Sequence, residues 1–510
     1  MENSKISRNL ITLILSISLL NLVIYLLTTA FTSYGIFRDE YYYLACANRL
    51  DFGYVDHPPL STLILSLWKS LFGDSMFVIR IVPAIVSSVI VFMIGLFTIR
   101  LGGSKAAVII STVAFMLSPI FLGMNTIYSM NVLDFLFWLS SAYVFLRIVQ
   151  TGNSRLWIML GVVIGFGLLN KTSMIWLSAG IFAGTVLTPL RKNLKTKYPY
   201  LAALIALLIF SPYVIWNITH DFAHLEFMRN AASQKYGGLT PLSFILDQIL
   251  ILNPLSILIW LPGIIFYFFN KEGKQFRAVG FIWLTTFIIL FINWHSKGEY
   301  IAASYQMLFA GGAVMIEKWS YNRSWLKYAV AIPVIVFGFL IAPLARPLLP
   351  VEKFLEYQNA IGLKPPSSEG HETILPQFYS DMFGWEDLAK NVSKVYLALP
   401  EEERKNTVVY CSNYGKAGAI EYYSNKYPLP QVICPHNSYW YWLQDTNEIS
   451  TIIIIGGEIE EHLEVLEEVY EAGYHQTKYA MPYENNQKIF IGRGLKVSIE
   501  EIRDSNKIFI

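Results

Sequence analysis

Charge is what this sequence has least of. Only 15% of its 510 residues are Asp, Glu, Lys or Arg, against about 25% in an ordinary soluble protein. A chain this long cannot build a fully hydrated surface from so few charges, and the deficit is the first sign of lipid exposure. Cysteine is scarce as well: Cys46, Cys411 and Cys434 match neither a zinc site nor a disulfide scaffold. No basic block or basic-aromatic stripe exists to track a phosphate backbone, so nucleic acid is excluded as a partner, and a net charge of +2 adds nothing to that question. No His/Cys cluster has ligand spacing, and His436 near Cys434 is not enough. We therefore expect no cofactor and no obligatory metal. Nor is there an internal repeat of the kind that builds many transporters.

What is present is hydrophobic: 54% of the residues, with a mean hydropathy of +0.43. The charged minority crowds into the last third, which suggests a membrane part followed by a water-soluble part. A bilayer-spanning helix needs roughly 20 mostly apolar residues. Candidate spans lie near 10–30, 79–99, 106–122, 131–149, 156–170, 173–189, 199–216, 254–269, 278–293, 303–317 and 326–345, eleven in all. The first follows Lys5 and Arg8 as a signal peptide would. Its apolar run is long for one, however, and Thr28-Thr29-Ala30 is a poor cleavage site, so it reads as an uncleaved anchor.

Lys and Arg concentrate in one alternating set of short connections, including Arg100/Lys105, Arg191 to Lys197 and Lys271 to Arg277. By the positive-inside rule these face the cytoplasm. The opposite connections, 31–78, 123–130, 217–253 and 294–302, are rich in acids, histidines and aromatics, and an odd number of spans puts the tail on their side. The expected setting is a bacterial plasma membrane, with the N-terminus cytoplasmic and the polar chemistry outside.

Residues 346–510 follow a different pattern. Thr407–Cys411, Gln431–Cys434 and Thr451–Ile455 read as strands, with helices near 416–425 and 459–472. Their alternation predicts a small α/β domain on a largely parallel sheet, joined to a membrane domain of residues 1–345. Pro343, Pro347, Pro350 and Lys364-Pro-Pro-Ser-Ser have the composition of a linker. Cys411 and Cys434 fall at matching strand ends, where a disulfide and two inert thiols are both open readings.

The first outer loop carries Arg38-Asp39-Glu40-Tyr41-Tyr42-Tyr43 and then Gly53-Tyr54-Val55-Asp56-His57-Pro58-Pro59-Leu60. Two adjacent carboxylates repel, so at least one needs a partner or a raised pKa. Such a group can take a proton from an attacking hydroxyl; the plainer reading is a cap on a helix N-terminus. Lys171 stands at the outer end of a span, where a lone cation costs free energy unless it meets an anion or snorkels. Arg80, at the head of the second span, is open to the same two readings. Asp134 lies one turn beyond Asn131 at the head of the fourth span, and a carboxylate at a membrane edge is a functional candidate by default.

The first-loop pattern, with Leu71-Phe72-Gly73-Asp74 before Arg80, resembles glycosyltransferase family 39. That family holds the protein O-mannosyltransferases and is related to the lipid A aminoarabinose transferases. The resemblance continues in order through Ser129-Met130-Asn131 with Asp134, Leu169-Asn170-Lys171, Trp216-Asn217 with His220-Asp221, and Gly298-Glu299-Tyr300 with Tyr305. It reaches Ser412-Asn413-Tyr414-Gly415 and His436 to Trp440.

The resemblance implies a GT-C helical bundle that moves a sugar, with inversion, from a polyprenyl-phosphate donor to a glycan, lipid or protein acceptor. Asp39 becomes the catalytic base and Glu40 orients it or binds the acceptor. Lys171, Arg80 and His57 become candidates for the donor phosphate. His57 stands where the aminoarabinose transferases have a Lys, and is a weaker, pH-dependent cation. Asn131, Asp134, His220, Asp221, Glu299, Tyr300 and Tyr305 become candidates for the acceptor or the groove border. Many relatives carry their acid where this chain has Asn131. A flippase for lipid-linked sugars is the competing reading; it expects charged or broken helices at the membrane midplane, whereas these acids sit at the outer edge.

Overall fold

The computed structural model describes residues 6–235, 238–293, 296–363, 372–442 and 449–510; the expected Lys364-Pro-Pro-Ser-Ser linker lies outside them. The membrane part is built from α1 (Arg8–Ala30), α2 (Arg38–Asn48), α3 (Leu60–Phe72), α4 (Met76–Arg100), α5 (Lys105–Met116), α6 (Pro119–Met124), α7 (Met130–Thr151) and α8 (Leu156–Leu168). It continues with α9 (Met174–Val186), α10 (Tyr198–Thr219), α11 (Ala223–Asn230), α12 (Pro241–Leu250), α13 (Ile257–Phe268), α14 (Arg277–Ile292), α15 (Ala302–Trp319) and α16 (Trp325–Ala345). Each of the eleven expected spans thus contains a helix.

Length and composition by themselves qualify fewer of these helices as full crossings. Among the described residues six helices are long and apolar enough alone, and eight spans result if each bent pair, 174–195 and 241–268, counts once. Helices α5 and α8 have only 12 and 13 residues, which at about 1.5 Å per residue is short of a hydrocarbon core.

Glycine sets the closest helix contacts. Gly161 and Gly165 of α8 face Ala202 and Ala206 of α10, and Gly180 and Gly184 of α9 face Ile282 and Ala278 of α14. A Cβ at Gly161 or Gly184 would run into the opposing backbone. Lipid tails offer no hydrophobic drive to pair helices, so small residues that permit close packing do that work. Leucines 204, 207 and 208 of α10, like Leu15 and Leu19 of α1, are left exposed as lipid-facing surface. By contrast α15 is buried on every side from Ala302 to Ile316 and forms the axis of the bundle.

Beyond α16 come α17 (Val351–Ala360), α18 (Gln377–Ser380), α19 (Trp385–Ala398) and α20 (Glu401–Lys405). Then follow β1 (Thr407–Tyr410), α21 (Tyr414–Tyr423), β2 (Gln431–Ile433), β3 (Thr451–Ile455), β4 (Leu466–His475) and β5 (Gln487–Leu495). The sheet order is β2-β1-β3-β5-β4. β1 runs parallel to β2 and β3, but β5 is antiparallel to both β3 and β4. The sheet is therefore mixed, not largely parallel.

The expected helix at 459–472 is wrong in its second half: only Ile459–His462 is helical, and β4 takes the rest. The spacing of Leu463, Leu466, Val469 and Tyr470, at intervals of three, three and one, is that of a helix face and not of a strand. β4 is an edge strand, and edges carry exposed charge such as Glu467, Glu468 and Glu471 to discourage further pairing. That same charge made the segment look like a solvated helix. Cys411 and Cys434 are buried free thiols, so of the two readings the inert one holds.

The sheet region is not a separate body on a tether. One core joins Tyr42, Ala45, Cys46 and Tyr54 of the first loop to Val409, Ile420, Ile453 and Ile491. Another joins Tyr34, Phe37 and Ile127 to Phe354, Leu375 and Tyr379. Helix α2 is the shared element, buried along nearly its whole length between bundle and sheet.

Candidate active site

A cavity of about 390 Å³ opens where the heads of α7 and α9 meet the first loop, α11 and the segment before α15. Six of the twelve residues singled out from sequence line it: Asp39, Asn131, Asp134, Lys171, Glu299 and Tyr300. Its walls are otherwise largely apolar, with Ile120, Met124, Met130, Phe135, Trp176, Phe227 and Met228. Charged and apolar residues lining one cavity suit an amphipathic ligand.

Lys171 is held by the turn after α8. Its backbone N–H donates to Gly167 at 2.8 Å, and the neighbouring Asn170 side chain donates to the Met130 carbonyl at 2.9 Å. The Lys171 ammonium donates to Asn131 Oδ1 at 2.7 Å and lies 3.7 Å from Asp134 Oδ2. Asp134 also receives Ser173 Oγ at 2.8 Å. The Asn131–Asp134 spacing on α7 therefore supplies two anchors for one cation. Among the described residues Lys171 is the only Lys or Arg lining the cavity.

Asp39 lies in the first turn of α2 and its carboxylate is partly exposed, 38% at the side chain. Oδ1 accepts from the Tyr414 hydroxyl at 2.9 Å, and Arg38 Nε is 3.4 Å away. Arg38 in turn faces Asp381 Oδ2 at 3.7 Å and donates to the Tyr483 hydroxyl at 3.3 Å. Burial drives the Tyr414 phenol well above its ordinary range, so it remains a proton donor toward the carboxylate.

Glu40 has a different environment although it is the next residue. It is fully buried, and its carboxylate receives Arg80 Nε at 3.0 Å and Nη2 at 2.6 Å. It also receives the backbone N–H groups of Phe37 at 2.9 Å and Tyr128 at 2.8 Å. The bond to Phe37 is the Glu half of a capping arrangement on α2. So the capping reading is right for Glu40 and not for Asp39, and Arg80 is occupied by Glu40 away from the cavity. This pair ties α2, α4 and the lead-in to α7 together.

The other candidates also lie outside the cavity lining. His57 is buried and stacked on Tyr43 with centroids 4.9 Å apart, with Nδ1 2.9 Å from the Pro58 carbonyl. His220 stacks on Trp216 at 4.1 Å. Asp221 sits exposed at a left-handed turn, φ 52°. Tyr305 is packed in the core between Trp260 and Trp283.

Three residues of the site were not singled out. Asp56, inside the Asp-His-Pro-Pro motif, lines the cavity and accepts from the Tyr42 hydroxyl at 2.8 Å. His224 lines it too, with Nδ1 3.1 Å from the Val55 carbonyl and its other nitrogen 3.4 Å from Thr172 Oγ1. Burial lowers its pKa, so it is neutral at pH 7 and adds no cation. Tyr414 comes from the sheet region; the Ser412-Asn413-Tyr414 motif was visible, but nothing in it pointed to Asp39. Among the described residues no group of three or more His, Cys, Asp or Glu is arranged to hold a metal ion.

Comparison with known proteins agrees with this architecture. Residues 56–216 match the family described as dolichyl-phosphate-mannose-protein mannosyltransferase. No curated protein sequence matches the chain. Among solved structures it resembles ArnT from Cupriavidus metallidurans bound to undecaprenyl phosphate, at a TM-score of 0.60 with 11% identity over 94% of this chain and 97% of that one. It also resembles mycobacterial arabinofuranosyltransferase AftD, at 0.53 and 14% identity over 97% of this chain and 40% of that one. Oligosaccharyltransferase AglB from Archaeoglobus fulgidus, in complex with an inhibitory peptide and a dolichol-phosphate, gives 0.50 and 15% over 86% and 69%. The class is therefore defined: this is a multi-pass membrane protein with the GT-C glycosyltransferase fold. Within that class, the likeness to the mannosyltransferase family is confined to residues 56–216.

Proposed function

We propose that the protein transfers a sugar from a polyprenyl-phosphate donor to an acceptor hydroxyl, with inversion, on the non-cytoplasmic side of a bacterial plasma membrane. The observation that carries this reading is that Asp39 and Lys171, drawn from distant parts of the chain, line one cavity whose remaining wall is mostly apolar. The acceptor oxygen attacks the anomeric carbon as its proton passes to the Asp39 carboxylate. The bond between that carbon and the phosphate oxygen breaks, and the electron pair leaves with the phosphate. Charge that builds on the phosphate meets the Lys171 ammonium, already fixed by Asn131 and Asp134, which needs no reorganisation during the step. Positive charge on the sugar ring meets an acidic lining that includes Asp56 and Glu299. Glu40 and Arg80 take structural roles as a buried pair. The apolar residues Met124, Phe135 and Met228 suit the first isoprene units of the carrier. Residues 346–510 act as the unit that covers the site.

The test is transfer of labelled sugar from polyprenyl-phosphate donors to envelope acceptors, wild type against Asp39→Asn. A positioned general base contributes about 10²–10⁴-fold, so the variant should lose at least a hundredfold in kcat while still binding donor. Full activity in the variant removes Asp39 from the role of base. Protein-dependent movement of the lipid-linked sugar across liposomes, with no transfer, would favour a flippase.

A further inference from the structure

The sheet region reaches both carboxylates at the first-loop side of the cavity, Asp39 directly and Asp56 through Tyr42. Tyr414, the first residue of α21, donates to Asp39 Oδ1 at 2.9 Å. Ser438, in the turn Asn437–Trp442, contacts the Tyr42 hydroxyl at 2.8 Å and accepts from Val55 N–H at 3.1 Å. Tyr42 is the residue that donates to Asp56. Each acid is therefore held, directly or through one side chain, by chain that lies almost four hundred residues away.

The Tyr414 contact is built in. Asn413 caps α21 by accepting from Lys416 N–H at 3.0 Å, and its side-chain amide donates to Glu484 at 2.7 Å. Glu484 and Lys416 form a buried pair at 3.3 Å. Gly415 and Gly418 then allow α21 to lie directly on α2, because a Cβ at either would strike Arg38 or Tyr41. The Tyr414 ring packs on Tyr42 at 4.8 Å and on His436 at 4.7 Å, and the Arg38 guanidinium lies over it. So the hydroxyl points at Asp39 from a ring fixed on several sides.

We propose that Tyr414 is a positioning residue for Asp39, and that the sheet region thereby completes the reactive site by fixing the base carboxylate. This rests on the reading of Asp39 as the base. A carboxylate free to rotate would present its basic oxygen to the acceptor only part of the time. With Oδ1 held by Tyr414 and Arg38, Oδ2 is the oxygen left to receive the proton. The titratable and charged groups around Asp39 are Arg38 and Tyr43 on its own helix, Tyr414 on α21, and Asp56, Lys171, His224, Asp134 and Glu299 in the cavity lining. Of these, Tyr414 is the neutral donor whose removal leaves every charge in place.

The experiment compares full-length wild type, Tyr414→Phe and Tyr427→Phe in lipid nanodiscs. Phenylalanine at 414 keeps the ring contacts and loses only the hydroxyl. Tyr427 bonds to Glu386, away from the cavity, and serves as a control for the loss of a phenol elsewhere in the sheet region. We expect Tyr414→Phe to lower kcat about tenfold with donor KM changed less than twofold, the size set by one hydrogen bond to a charged group. The acid limb of the kcat/KM profile should move to higher pH, because the lost donor favoured the charged carboxylate. Tyr427→Phe should match wild type. A second readout needs no turnover: the pH of half-maximal carbodiimide labelling at Asp39, followed by peptide mass spectrometry, should move upward in Tyr414→Phe. An unmoved labelling midpoint overturns the proposal, as does an unchanged kcat in an active enzyme. A midpoint that moves in Tyr414→Phe, together with a wild-type protein that transfers no sugar, would retain the Tyr414 contact and reject the transferase reading instead.

Discussion

Replacing Arg80 by methionine separates two accounts of that residue. If Arg80 held the donor phosphate, Arg80→Met would raise donor KM and leave folding alone. The structure points elsewhere. The Arg80 and Glu40 side chains are 1% and 0% exposed, and the guanidinium makes its closest contact with Glu40 at 2.6 Å. It donates as well to the Gly35 carbonyl at 3.0 Å. Removing the cation leaves a buried carboxylate that, among the described residues, keeps only the Phe37 and Tyr128 backbone N–H groups as donors. Breaking a buried ion pair from one side costs about 3–5 kcal/mol, a large share of the stability of most folded proteins. Methionine fills much of the arginine stem's volume, so packing should contribute little to the loss.

The assay is reversible unfolding in mixed detergent–SDS micelles, read by tryptophan fluorescence, for wild type, Arg80→Met, Glu40→Gln and the double variant. Both single variants should lose about 3 kcal/mol or more, and the double variant should be less destabilised than their sum, since neither leaves a charge unpaired there. Arg80→Met within about 1 kcal/mol of wild type, paired with a raised donor KM, would falsify the structural account and return Arg80 to the phosphate.

Two further outcomes follow from the geometry. Lys171→Met should raise donor KM at least tenfold, since among the described residues no other Lys or Arg lines the cavity and charge-assisted bonds are worth about 1.5–3 kcal/mol; a donor titration with unchanged KM would remove Lys171 from the phosphate site. His475, at the end of β4, is buried with no partner for Nδ1 among the described residues, and its pKa is lowered to about 4 by desolvation. The unfolded chain takes up this proton near the ordinary histidine pKa of about 6.5, while the folded state resists until about pH 4. Stability contributed by neutral His475 is therefore complete above about pH 6.5 and lost as pH falls toward 4, by about 3 kcal/mol in total. His475→Gln should flatten that slope in unfolding curves measured between these two pH values; an unaltered slope would show that other groups produce it.

Local pattern accounts for much of what was legible. Apolar runs predicted a helix in every proposed span, because a segment's affinity for lipid is a property of its own residues. The short runs in α5 and α8 could not be resolved into full crossings, since length alone does not say how a helix sits in a bilayer. Strands β1, β2 and β3 were visible as short β-branched runs. β4 was not, because an edge strand with one paired side tolerates the spacing of an amphipathic helix. In the site, Asp39, Lys171, Asn131 and Asp134 were each visible as polar residues at span ends, where their cost in free energy calls for a reason. Glu40 and Arg80 met the same description, and sequence gave no means of telling a cavity acid from a buried one.

That distinction belongs to tertiary structure. The sequence by itself determined a membrane-embedded helical bundle, the outer-loop acids and the α/β character of the tail, since these follow from composition and short-range spacing. Only the fold decided that Asp39 faces the cavity while Glu40 turns away to meet Arg80. Adjacent residues on a helix point about 100° apart, and which direction faces a cavity depends on what packs on each side. Only the fold, likewise, brought Tyr414 to Asp39 and Ser438 to the Asp56 loop. Contacts across that much chain arise from the packing of α21 against α2, and no local pattern in either segment encodes its partner.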